Sequence, residues 1–185
     1  MGGVTVTDLG FAVLRVLTVV GGAIWVYFWP QFGQHVGGIK YLFGFFFAYS
    51  AVLFAALVRS PGLSKTIYRA SLVLDLVFIT GLVVLTGGMT SNFFLAYYLL
   101  IALHTFYYSS LKTGLYTAAA AAILYLGANW SHLGDIYWGD LVLRVVFLGL
   151  VGVSTGLLTN ELTKAYRQMA EYARQIEEAN RALDV

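Results

Sequence analysis

Residues 87–93 read Gly-Gly-Met-Thr-Ser-Asn-Phe, a polar interruption in the middle of an otherwise apolar chain, with three apolar runs before it and three after. The two adjacent glycines supply the positive backbone dihedrals of a tight turn, and Thr90, Ser91 and Asn92 can each cap a helix that begins near Phe93. The stretch therefore reads as a hairpin between two membrane helices. It carries no charge, which suits a turn held at a membrane surface.

Composition sets the same frame. Of 185 residues, 59% are hydrophobic and 11% charged, and the mean hydropathy is +0.78. A soluble globule of this size has too much surface to cover with so few charges, so the expected class is an all-α polytopic membrane protein. The absence of cysteine excludes a disulfide framework or a thiol switch in this chain. No basic stripe suggests nucleic acid as a partner. The N-terminus lacks a basic region and its first apolar run is long enough to span, so it reads as a retained helix, not a cleaved signal.

With about 20 apolar residues needed to cross the hydrocarbon, the pattern predicts six helices: Asp8–Trp29, Ile39–Val58, Ala70–Thr86, Phe93–Ser109, Thr113–Trp130 and Leu141–Thr159. Arg59, Lys65 and Arg69 follow the second run, Lys112 the fourth, and Lys164, Arg167, Arg174 and Arg181 the sixth. Lysine and arginine resist translocation, so these positions predict both termini in the cytoplasm of a bacterial inner membrane and the central turn outside. Only Lys40 near the first hairpin and Arg144 in the sixth run stand against it. Trp25, Trp29, Trp130 and Trp138 fall at the expected outer boundary, where amphipathic rings prefer to sit.

At Glu161 the chain turns polar and helix-favouring, which divides it into a transmembrane domain over 1–159 and a cytoplasmic signalling helix over 160–185. Leu162, Met169, Ile176 and Leu183 recur every seven residues, with Tyr166, Ala173 and Asn180 between them. Assigned to d and a positions, they predict a parallel coiled coil and a homodimer, with Asn180 favouring one register. A single amphipathic helix on the inner leaflet is the competing reading. Gly149, Gly152 and Gly156 of the sixth run are small enough to let helices approach closely in lipid, either across the dimer or against another helix of the same chain.

Three ionisable residues fall inside the predicted bilayer in its inner half. Arg15, Asp75 and His104 are expected at similar depth in the inner half of the bilayer, where an unpaired Arg or Asp costs about 2.5–3.5 kcal/mol at mid-depth. An Arg15–Asp75 ion pair facing the bundle interior, with His104 within hydrogen-bonding reach, is the expected solution. Such a pair either fixes packing or transmits a signal. On the outer loops His35, His132, Asp135 and Asp140 share no metal-ligand spacing and read as solvated. No phosphate-binding loop, ATP-binding pattern or nucleophile with a neighbouring base is present, so no catalytic residue is assigned.

Through Gly87, Gly88, Ser91 and Phe93, with Asp75 upstream and Arg15 in the first run, the chain resembles the six-helix membrane input domain of bacterial sensor histidine kinases of the PilS and RegB/PrrB types. The likeness covers almost the whole chain. It implies a turn between the third and fourth helices that meets ubiquinone in one branch, and a membrane domain that meets pilin in the other. It also implies a sixth helix that continues toward a kinase output domain. Asn92 departs from the pattern, which has proline there. A quinone would then meet Gly87, Gly88, Ser91, Asn92 and Phe93, with Asn92 and the turn's N–H groups as donors. The resemblance points to a sensory, signal-transmitting domain without catalytic activity of its own. A substrate-binding subunit of a transport system is the alternative, and the heptad-bearing tail is what that alternative does not require.

Overall fold

The computed structural model describes residues 36–130 and 138–183, together with positions 10, 13, 15–18, 20–22, 24 and 28 of the first run. The described residues of the first run are helical, and no described residue lies in a strand. The second run forms the helix Val36–Arg59, the third Ser64–Leu85, the fourth Leu95–Tyr108, the fifth Leu111–Ala128 and the sixth Trp138–Leu183. Four of these, all but Leu95–Tyr108, are long and apolar enough to cross a membrane. The fold is all-helical and compatible with a membrane protein. His35, His132 and Asp135 lie outside the described residues.

The third-run helix begins at Ser64, six residues before the expected Ala70. A single 3-10 turn over Pro61–Leu63 leads into it, and Lys65 and Arg69 fall inside its first turns, where long side chains can reach a polar boundary from a helical backbone. One consequence matters for the site: Asp75 stands eleven residues after Ser64 and ten before Leu85, at the middle of its helix. The fourth-run helix is short for the opposite reason. Ser91 caps a 3-10 turn over Asn92–Phe94, and regular helix starts only at Leu95.

Between the fourth and fifth runs, Ser109 takes a left-handed conformation at φ 47° and closes the helix, and Ser110 is extended before Leu111 starts the next. The hairpin is fastened to the third-run helix where the Tyr108 hydroxyl donates to the Lys65 carbonyl at 3.0 Å.

The fourth, fifth and sixth-run helices pack on one another, and the second packs mainly on the third. Small residues bring the fifth and sixth together. A Cβ placed on Gly114 would lie 2.5 Å from the Gly152 carbonyl oxygen, and one on Gly152 would lie 2.9 Å from the Ala118 methyl. A Cβ on Gly156 would lie 2.8 Å from the Leu111 Cα. The sequence left Gly152 and Gly156 either a dimer crossing or a helix of the same chain as partner, and the contacts they make here are with the fifth-run helix. Gly149 meets nothing within reach.

The core is built on Phe78, Val83, Tyr97, Ile101, Ala121, Tyr125 and Leu148. Tyr97 is satisfied there: Thr80 donates to the Leu76 carbonyl, so the Tyr97 hydroxyl donates to Thr80 at 2.7 Å. The outside carries large apolar side chains mid-helix, among them Phe47, Val73, Ile123, Leu143 and Leu150. A surface of this kind suits hydrocarbon better than water.

No break separates the bundle from the tail. The sixth-run helix runs 46 residues across the 159/160 boundary, about 70 Å at 1.5 Å per residue. Beyond Thr163 every described side chain is exposed. The surface there is held by helical ion pairs: Lys164 to Glu161 at 2.7 Å, Arg174 to Glu178 at 2.8 Å, and Arg181 to Glu177. Leu162, Met169 and Ile176 stay exposed along it.

Candidate functional site

The first polar centre lies between the first, second and third runs. Nη2 of Arg15 stands 2.8 Å from Oδ1 and 2.6 Å from Oδ2 of Asp75, a bonded ion pair. Arg15 also donates to the Ser50 hydroxyl at 2.6 Å and to Ser71. The carboxylate accepts further bonds from Tyr49, at 2.5 Å to Oδ1, and from Ser71, at 2.9 Å to Oδ2. The Arg15 guanidinium faces the rings of Phe46 and Tyr49 at 5.5 and 5.4 Å. Two opposite charges removed from water are tolerated when their attraction is supplemented by bonds that satisfy the remaining lone pairs, and this arrangement meets that condition.

His104 is fully buried on the fourth-run helix. Its Nδ1 meets the carbonyl of Leu100, one turn back, at 3.1 Å.

The second polar centre is the turn over residues 87–93. Gly87 and Gly88 adopt φ of 110° and 58°, a region where side chains with a Cβ are strained. Thr90 bonds back to the Gly87 carbonyl through both its amide and its hydroxyl, at 3.1 Å each, and the Ser91 amide donates to Gly88. Thr86 donates to the Leu82 carbonyl, so Ser91 donates to Thr86 at 2.5 Å. Ser91 in turn accepts from the Phe93 amide at 3.2 Å. Ser91 is therefore the cap among the three candidates, buried and committed within the turn, while Asn92 is exposed.

Gly88 is buried against the end of the fifth-run helix, where a Cβ would come within 2.6 Å of Oδ1 of Asn129. Asn129 is fully buried, and its amide donates to the Tyr125 carbonyl at 2.8 Å. Its Oδ1 has no hydrogen-bond partner among the described residues.

A chain of contacts runs from this turn to the sixth-run helix. The Tyr125 hydroxyl donates to the Met89 sulfur at 3.1 Å and accepts from Nη1 of Arg144 at 3.2 Å. The Arg144 guanidinium lies 5.0 Å over the ring of Phe94, within the range of a cation–π attraction. The fifth and sixth-run helices meet the turn and the 3-10 segment that follows it at these four side chains.

Among the described residues no cluster of three or more His, Cys, Asp or Glu side chains could hold a metal. Leu162, Met169 and Ile176 share a side of the tail and are exposed along it.

The sequence reading did not single out Tyr49, Ser50 and Ser71 around the ion pair, or Met89, Tyr125 and Asn129 around the turn. Ser71 carried a readable signal, since it precedes Asp75 by one helical turn on the same face. Tyr49 and Ser50 carried none beyond being polar within an apolar run. Arg144 appeared in that reading only as a topology residue.

No family model, no curated protein and no solved structure matches the chain. Its site is therefore read from its own geometry.

Proposed function

We propose that the chain is a sensory, signal-transmitting domain of a bacterial inner membrane, a six-helix bundle with both termini cytoplasmic that works as a homodimer. One observation carries the reading: a single helix, gripped by the fifth-run helix through Gly152 and Gly156, leaves the bundle without a break and extends about 25 residues as an exposed rod. A free-standing helix gains most of its stability from packing an apolar face. Leu162, Met169 and Ile176 supply that face to a second copy, in a parallel coiled coil joining two bundles.

In this reading a stimulus in the bilayer or at the outer face favours one arrangement of the third and fourth-run helices, because only a difference in affinity between two arrangements shifts their populations. The contacts from Met89 and Phe94 through Tyr125 to Arg144 carry that shift to the sixth-run helix. An output domain of the histidine kinase type is the expected recipient, and ubiquinone or a membrane protein such as pilin the expected stimulus.

The test uses the natural absence of cysteine. Single Met169→Cys and Ile176→Cys variants in native membranes should form disulfide-linked dimers with copper phenanthroline, while Glu171→Cys, on the opposite face, should not. Equal cross-linking at all three positions, or none at Met169 and Ile176, rejects the dimeric rod.

A further inference from the structure

The ion pair is the polar end of a cleft of about 340 Å³ between the first four runs. Its floor is aromatic: Phe78 packs edge-on to Phe43 at 5.4 Å and lies 4.3 Å from Phe46, centroid to centroid. Leu99 and Leu103 of the fourth-run helix form the far wall, and Phe93 of the turn closes one end. The volume falls in the range of small-molecule sites, which are mostly apolar with a few polar groups that fix orientation.

We propose that this cleft binds an uncharged amphiphile, with an apolar body along the aromatic floor and an oxygen-bearing head at the Arg15–Asp75 end. Two observations select that chemistry. The pair is internally neutral, and its carboxylate already accepts from Arg15, Tyr49 and Ser71, so a charged head would arrive without a counter-charge in low dielectric. The pair also sits mid-helix, about 16 Å from either end of Ser64–Leu85. That is too deep for the headgroup of an ordinary phospholipid, and it leaves a neutral lipid or a membrane-dissolved carrier such as a quinone as the two sources. Binding here is a property of this chain alone and does not depend on what the sixth-run helix transmits.

Gly21 lines the cleft, and a Cβ there meets nothing within 4 Å. Gly21→Leu adds a branched side chain at the first-run wall, and Ala96→Leu narrows the cleft from the fourth-run side. The probe is 1-dodecanol carrying a mid-chain diazirine, photolysed with the detergent-solubilised chain and mapped by mass spectrometry. Labelling should concentrate on Phe43, Leu99 and Leu103 and fall at least 10-fold in Gly21→Leu or Ala96→Leu, in whichever keeps the wild-type melting temperature. The dodecanoate analogue, charged at the head, should label at least 5-fold less. Competition by ubiquinone-1 identifies a carrier, and competition by monododecanoylglycerol a neutral lipid. Labelling spread over Leu143 and Leu150 on the outer surface, undiminished labelling in both folded variants, equal labelling by dodecanoate, or displacement by neither competitor overturns the proposal.

Discussion

The hydroxyl of Tyr125 donates to the sulfur of Met89 at 3.1 Å, tying the fifth-run helix to the turn between the third and fourth. The same oxygen accepts from Arg144 of the sixth-run helix. One side chain thus holds the turn and the helix that leaves the bundle in a fixed relation. Tyr125→Phe keeps the ring and removes both bonds, one of them charge-assisted. It should cost about 1–3 kcal/mol, read as a lower unfolding midpoint in mild detergent, and Met89→Leu should cost less because the bond from Arg144 survives.

The Arg15–Asp75 pair makes a prediction of non-additivity. Asp75→Asn leaves a buried guanidinium without its counter-charge, which costs about 3–5 kcal/mol where one partner of a buried pair is removed. Arg15→Met with Asp75→Leu removes both charges and should be more stable than either single variant, as measured by thermal unfolding. In a fusion of this chain to a histidine kinase output domain, Asp75→Asn should also alter phosphorylation without abolishing membrane insertion. Unchanged output would confine the pair to packing.

Gly88 and Asn129 form a second testable pair. Gly88→Ala meets two obstacles: a left-handed backbone, costing about 1–2 kcal/mol, and the Asn129 oxygen at 2.6 Å. Combining it with Asn129→Ala removes the second obstacle and leaves the first. The double variant should melt above Gly88→Ala alone, and a double-mutant cycle should return a coupling energy clearly different from zero.

The glycines of the sixth-run helix should separate sharply. Gly152→Ala drives a methyl toward the Gly114 carbonyl and the Ala118 methyl, and should cost about 1–3 kcal/mol through overpacking. Gly149→Ala meets nothing and should be neutral or stabilising by about 0.5–1 kcal/mol, the helix-propensity gain. Equal effects at the two positions would contradict the fifth–sixth crossing.

The sequence by itself determined the apolar runs, the turn at Gly87 and Gly88, and the polar helical tail, because hydropathy, backbone freedom at glycine and heptad spacing are properties of a chain read in one dimension. It also marked Arg15 and Asp75 as residues needing partners, since a lone charge in hydrocarbon is costly wherever it lies. Rotation and neighbour choice were decided only in three dimensions. A helix apolar on every face gives no sign of which side meets another helix and which meets lipid, and without a hydrophobic difference between the two, packing of small residues chooses. That is why Gly152 and Gly156 met the fifth-run helix, why Tyr49, Ser50 and Ser71 could not be named beside the ion pair, and why the turn's link to Arg144 emerged from the fold.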